Sequence, residues 1–452
     1  MYGIVGNDSK KWLEKSQSII IGGNKMKKLF ALLLVFVMVI GMFAGCGKKD
    51  EASVYLLNFK PEADAAWQEL AATYTKETGV PVKVITAASG TYSDTLNAEM
   101  AKAEAPTLFQ CGNAQGLLDW DEYALDLAGT GILEEQTTAD FNLKNAEGKT
   151  KAFGYCYEAF GIITNKTLLA KAGYDVADIT NYATLKKVAD DIHGRAAELG
   201  FDAFSAPGLE GSSSWRFSGH LATLPLHYEF AEDGITEQPA TIKGSYLENF
   251  RNIWDLYVSD TAADPKTLST GTGEQSTNEF KEGKAVFYQN GTWEYAGLIE
   301  AGFSPDELVM LPIYCGVDGE ENAALPSGTE ACWSINAKAS EADQKATIDF
   351  VKWLVTSDAG TTMMAEQFGP IPFKAAKTPE NVFFADANRY LAEGKYNVSW
   401  AFNHTPNVDS WRAGLVSALA AYSADRTDAN WALVEAAFVD GWAAEYAIQH
   451  GA

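Results

Sequence analysis

Gly154-Tyr-Cys-Tyr-Glu158-Ala-Phe-Gly161-Ile-Ile-Thr-Asn165-Lys166 lies about a third of the way along a chain of 452 residues. From Tyr155 to Thr164 it is aromatic and β-branched, the composition of a buried strand. One ionisable residue, Glu158, interrupts the run. A carboxylate there costs free energy unless a polar group meets it. The stretch therefore reads as a strand crossing between two lobes, with Glu158 facing the cleft where a polar ligand binds.

The chain on either side alternates strands and helices. Before it come strand Val54–Phe59, a helix opened by Lys60-Pro61-Glu62, strand Pro81–Ile85, helix Thr91–Ala103 and strand Thr107–Gln110. That β-α-β-α-β order predicts a parallel sheet covered by helices, with ligands at the strands' carboxyl ends. Those ends are Asn58–Glu62 and Gln110–Asn113. After it, helices are expected over 166–172 and 184–199, and a loop of small residues, Gly208–Ser214, leads to Trp215. Ala285–Tyr288 reads as a strand, Asn290-Gly291 as a turn, and Trp293 as the start of a helix. Leu308–Pro312 is strand-like and is expected to cross back between the lobes. The prolines of Phe368-Gly-Pro-Ile-Pro-Phe373 exclude regular helix, so this segment is the third expected crossing. Helices Asp409–Tyr422 and Ala429–Tyr446 close the chain.

The length suits two sizeable cores, and 47% apolar with 21% charged residues is globular. Lys+Arg number 35 and Asp+Glu 60, a net charge of -25. Six of those bases but only two acids precede Cys46, so the remainder is more acidic still. Such a surface repels phosphate backbones and excludes nucleic acid as a partner. Cys111, Cys156, Cys315 and Cys332 lack CxxC spacing and nearby His, so no zinc site is expected, nor any cofactor. Their apolar contexts read as buried free thiols, although disulfides remain open in an exported chain.

Met26-Lys27-Lys28 followed by the apolar run Leu29–Ile40 has the form of an export signal and is short for a membrane span. Ala44-Gly45-Cys46 resembles the bacterial lipobox, in which the cysteine is lipidated and becomes the mature amino terminus. Phe43 stands where Leu is usual. Residues 1–25 are expected to precede the true start at Met26. Residues 26–45 would be the signal and 46–52 a polar tether, its acylated Cys46 holding the protein on the outer face of the bacterial membrane.

The order of segments then resembles the extracellular solute-binding proteins of family 1, the carbohydrate-type class that includes maltose-binding protein. The matching pieces are Asn58–Glu62, Thr107–Gln110, Tyr157–Lys166, Lys284–Trp293, Trp333–Ser340, Asp349–Leu354 and Phe368–Pro372. The resemblance implies an α/β, two-lobe periplasmic-binding-protein-like fold of type II, each lobe a mainly parallel sheet flanked by helices. Lobes of 53–157 plus 312–370 and 158–311 plus 371–452 would close on a ligand and deliver it to the permease of an ABC importer, as a monomer. It also implies sugar contacts for Glu158 and Trp293, and polar contacts from the loop holding Asn113, where the family's frequent Asp is absent.

Sugars present hydroxyls at their edges and apolar C–H faces, so aromatic platforms beside Glu, Asn, Lys and Gln suit them. The candidate ligand residues are Glu158, Trp293, Trp215, Asn113, Lys60, Glu62, Asn290, Glu330, Trp400 and Trp411. Trp254 and Trp353 fall in helical stripes and read as core. Two alternatives keep weight. The same fold could bind a polyamine, with Glu158 and the tryptophans holding a cation, or a peptide. A secreted glycan hydrolase would need two carboxylates roughly 5–10 Å apart, and no motif marks such a pair. Import and signalling to a sensor kinase both fit this sequence.

Overall fold

A computed structural model describes residues 52–451. The expected signal, the lipidation at Cys46 and the upstream extension all lie outside the described residues. Twelve strands form two six-stranded sheets. The first contains β1 (Val54–Asn58), β2 (Val82–Thr86), β3 (Leu108–Gln110), β4 (Leu143–Lys144), β5 (Thr150–Gly154) and β11 (Cys332–Ile335), in the order β2-β1-β3-β11-β5-β4. The second contains β6 (Glu158–Asn165), β7 (Asp202–Phe204), β8 (Ala285–Gly291), β9 (Leu308–Leu311), β10 (Ala323–Gly328) and β12 (Tyr396–Ser399). Its order is β12-β10-β6-β8-β7, with β9 also on β6.

Each sheet is mixed rather than mainly parallel. β1 runs parallel to β2 and β3, as the β-α-β order requires, but β11 is antiparallel to both β3 and β5. In the second sheet β6 is antiparallel to β8, β9 and β10. β6 and β11 each enter their sheet from the other one, and so escape the crossover rule that makes β-α-β units parallel.

Separate cores fill the two lobes. Leu56, Trp67, Tyr74, Phe153, Trp333, Phe350, Leu354 and Phe368 pack on one face of the first sheet. Phe160, Ile162, Leu185, Ile192, Phe250, Trp254 and Phe287 pack on one face of the second. Side chains alternate along β6, so Ala159 and Ile163 point to the opposite face with Tyr288 and Met310. Trp254 is core, as expected; Trp353 is half-buried against Tyr74 and donates its indole N–H to Glu77.

The connections between the sheets differ from the sequence reading. Tyr155–Thr164 is not one strand. β5 ends at Gly154 in the first sheet, Tyr155–Tyr157 cross, and Glu158 is the first residue of β6 in the second. Leu308–Pro312 does not cross back. β9 pairs with β6, β10 follows it into the same sheet, and the return lies between Gly328 and Cys332. Residues 312–328 therefore belong with the second sheet. β10, Ala-Ala-Leu-Pro-Ser-Gly, has little strand character in its sequence, so nothing marked a further strand ahead of the crossing. Nor is Phe368–Phe373 itself the third crossing. Pro370 and Pro372 accept backbone bonds from Tyr157 and Thr137, and Phe373 packs in the first core. Ala376 still packs against that core and Lys377 still pairs with Asp358 at 2.6 Å, so the chain passes over after Lys377, and Asn381 then donates to Thr292 O at 2.8 Å. Asn290-Gly291 is the end of β8 rather than a turn, because β6 continues opposite it, with Gly161 facing Asn290 and Phe160 facing Gly291.

Cys111, Cys156, Cys315 and Cys332 are buried and free. Among the described residues no helix is long and apolar enough to cross a membrane.

Candidate functional site

The site grows from strand ends. β1, β8, β10 and β12 all finish where β6 begins, since β6 is antiparallel to β8 and β10 and β12 runs parallel to β10. Lys60 lies two residues beyond β1, Trp293 two beyond β8, Glu330 two beyond β10 and Trp400 one beyond β12. Glu158, paired with Gly328, meets them head-on.

Lys60 Nζ lies 2.6 Å from Glu158 Oε1, and both side chains are almost wholly buried. Asn58 orients the lysine, accepting from its backbone N–H at 3.0 Å and donating to its carbonyl. Burial alone would lower the Lys60 ammonium, but Glu158 and Glu62 outweigh it and hold the group above the ordinary lysine range. Glu62 stands 3.8 Å from the same Nζ and is partly exposed. Its carboxyl is raised by burial, an effect that Lys60 only partly offsets.

An aromatic cluster adjoins the ion pair. Lys60 Nζ is 5.4 Å from the Trp293 ring centre. Trp293 lies 6.0 Å from Trp215, and both lie within 5.4 Å of the His220 ring. His220 stacks on Phe160 at 4.0 Å with 7° between the planes, and Trp400 and Phe402 complete the group. A π-helical turn, Arg216–Leu221, delivers the histidine. Arg216 anchors the turn from beneath through Gln289 O, Ser213 Oγ and Ser276 Oγ. Burial, with Arg412, Arg216 and Lys60 nearby, holds His220 well below the usual imidazole range, so the ring is neutral. His220 Nδ1 and Trp400 Nε1 are buried without a hydrogen-bond partner among the described residues.

The structure thus brings together Glu158, Lys60, Glu62, Trp293, Trp215 and Trp400, with Glu330 in electrostatic reach of Glu158 and Lys60. It places the other candidates differently. Asn113 Oδ1 is occupied in capping the helix Ala114–Trp120, accepting from Gly116 N at 3.1 Å. The buried Asn290 amide donates to Tyr288 and to Glu294 at 2.9 Å. Trp411 sits in the core against Phe438 and Trp442 and donates its indole N–H to Phe438 O at 3.0 Å. Its helical spacing turns it inward, and the next residue, Arg412, is the one beside His220 and Glu330. The sequence reading passed over His220, Phe402 and Arg412. No motif marks them, and nothing local sets His220 and Arg412 apart from the neighbouring Arg216, Ser218, Asp409 and Ser410.

A profile of the bacterial extracellular solute-binding proteins matches residues 69–433. The chain belongs to that family. The binding protein also shares its fold with solved structures at low sequence identity. The solute-binding protein RafE in complex with raffinose is 16% identical, covering 87% of this chain and 99% of its own, with a TM-score of 0.67. A chitin oligosaccharide binding protein is 17% identical over 89% and 99%, with a TM-score of 0.67. The GacH receptor of Streptomyces glaucescens, solved unliganded and with acarbose, is 21% identical over 89% and 99%, with a TM-score of 0.61. The family consists of binding proteins. Among the described residues of this one, no cluster of His, Cys, Asp and Glu could hold a metal ion.

Proposed function

We propose that this binding protein captures a neutral oligosaccharide between its lobes and hands it to the permease of an ABC importer. The observation that carries the reading is the Lys60–Glu158 pair set against the Trp293–Trp215–His220–Trp400 cluster. Indole rings suit the C–H faces of a sugar, and a carboxylate beside an ammonium offers an acceptor and donors to its hydroxyls. Lys60 already neutralises Glu158, so this carboxylate has no uncompensated charge for a polyamine. The solved relatives with raffinose and chitin oligosaccharides in their names point the same way.

Ligand bridging both lobes stabilises the closed form only by its extra affinity for that form. The three connections, 155–157, 329–331 and 378–380, absorb the change in dihedral angles. No chemical step is required of the protein. Anchoring through a diacylated Cys46 would keep the monomer beside the permease; Cys46→Ala should release it into the medium.

A thermal-shift screen tests the ligand class, because a ligand of the native state raises Tm. Raffinose, stachyose or a chitin oligosaccharide should raise it, spermidine and peptides should not, and no sugar should be cleaved. A shift by spermidine alone would overturn the reading, and release of sugar products would make it an enzyme.

A further inference from the structure

Six arginines occur in this chain. Five have partners: Arg195 on Asp191, Arg216 on buried carbonyls and hydroxyls, Arg251 on Asp428, Arg389 on Asp386 and Glu393, Arg426 on Ser259. Arg412 makes no hydrogen bond and no ion pair among the described residues, and its Nε is buried without a partner. Yet the fold makes room for it. Its guanidinium lies 5.1 Å from the Phe402 ring centre, at the edge of the aromatic cluster. At Gly219, inside the π-helical turn, a Cβ would stand 2.7 Å from Arg412 Nη2, so a side chain there would displace the guanidinium.

A guanidinium is an obligate cation with five donors in a planar fork, and leaving it half-buried and unpaired costs stability. Two carboxylates stand near it without pairing. Asp409, three residues earlier on the same helix, is engaged by Ser93 Oγ at 2.8 Å. Glu330 approaches from the return connection; burial raises its carboxyl, and Arg412 only partly counters that.

Resting on the carbohydrate reading, we propose that Arg412 is a ligand-anchoring residue, left unpaired by the protein so that its fork donates to two adjacent hydroxyls of a neutral sugar. Glu330 accepts from the same diol. A hydroxyl both donates and accepts, so a diol satisfies the cation and the carboxylate together. The carboxylate of a uronic acid would satisfy only the arginine and would meet Glu330 and Asp409 as like charges. The site therefore selects neutral over acidic sugars.

The test compares the full mature chain with Arg412→Met and Arg412→Lys. Without ligand, Arg412→Met should raise Tm by about 1–3 °C, since it removes an uncompensated charge and keeps the apolar stem. Titration calorimetry with raffinose, stachyose and chitotriose should show affinity falling about 10- to 100-fold in Arg412→Met, the range of a charged hydrogen bond. Arg412→Lys should lose less. A lower ligand-free Tm in Arg412→Met would mean a structural role and overturn the proposal, as would unchanged affinity. Preference of the wild type for oligogalacturonate would overturn the neutral-diol assignment. Silence of the wild type toward every sugar would instead fail the carbohydrate reading, and this inference with it.

Discussion

Lys60 and Glu158 meet at 2.6 Å from different sheets, one just past the end of β1 and the other at the first position of β6. The pair fastens the first lobe to the start of the second beside the Tyr155–Tyr157 connection. Each charge depends on the other, for both are buried. Removing one partner leaves an uncompensated charge, which costs about 3–5 kcal/mol. Lys60→Met and Glu158→Leu should each lower unfolding free energy by that order in urea titrations. The double variant should recover most of it. Equal losses in the single and double variants would show that the residues do not act as a pair.

Two tryptophans separate binding from stability. Trp293 is half-buried among Lys60, His220 and Trp215, whereas Trp411 is buried with its indole N–H satisfied. Trp293→Ala should weaken affinity for the preferred sugar about 10- to 100-fold with little change in Tm. Trp411→Ala should cost about 3–5 kcal/mol of stability, with affinity unchanged wherever the variant is folded. Calorimetry and denaturant titration on both would expose any reversal of these roles.

What could be read beforehand follows from the physics of each residue. Glu158 stood out because a carboxylate in an apolar strand needs a partner, and the partner was the lysine that follows β1. Trp293 stood out because it follows a strand end. The points of crossing were hidden, since β10, Ala-Ala-Leu-Pro-Ser-Gly, has little strand character of its own and only pairing with β6 keeps it and β9 in the second sheet. His220 and Arg412 were hidden for a related reason. Their surroundings come from a π-helical turn and from elements distant in sequence, Trp400 beside His220 and Gly219 beside Arg412, which local periodicity does not register.

Glu294 gives the site a pH dependence with a definite sign. Burial, then Glu62 from the first lobe, push its carboxyl up to about 7. In the unfolded chain it titrates near the ordinary value of roughly 4.3. Between these pH values the folded state holds the proton and the unfolded state does not, so this group's contribution falls as pH rises and levels off above about 7. Glu294→Gln removes the ionisation and keeps an acceptor for Asn290. It should match wild type near pH 4.5 and exceed it at pH 8, by on the order of 2 kcal/mol. Superimposable stability curves at pH 8 would contradict the raised state of this half-buried carboxyl.

Ser89 and Ser93 of the first lobe reach Ser212 O and Asp409 Oδ2 of the second, at 3.4 and 2.8 Å. Between them Gly90, at φ +76°, packs so tightly that a Cβ would collide with the carbonyl of Gly211. Gly79 has nearly the same φ, +77°, with nothing within 4 Å of the added Cβ. Alanine at either position bears the same backbone strain, about 1 kcal/mol. Only at position 90 does it also wedge the lobes apart. Gly79→Ala should therefore bind sugar like wild type, whereas Gly90→Ala should bind more weakly and show a larger radius of gyration by X-ray scattering at saturating ligand. Identical affinities and radii for the two variants would mean that the Gly90–Gly211 contact is absent from the ligand-bound state.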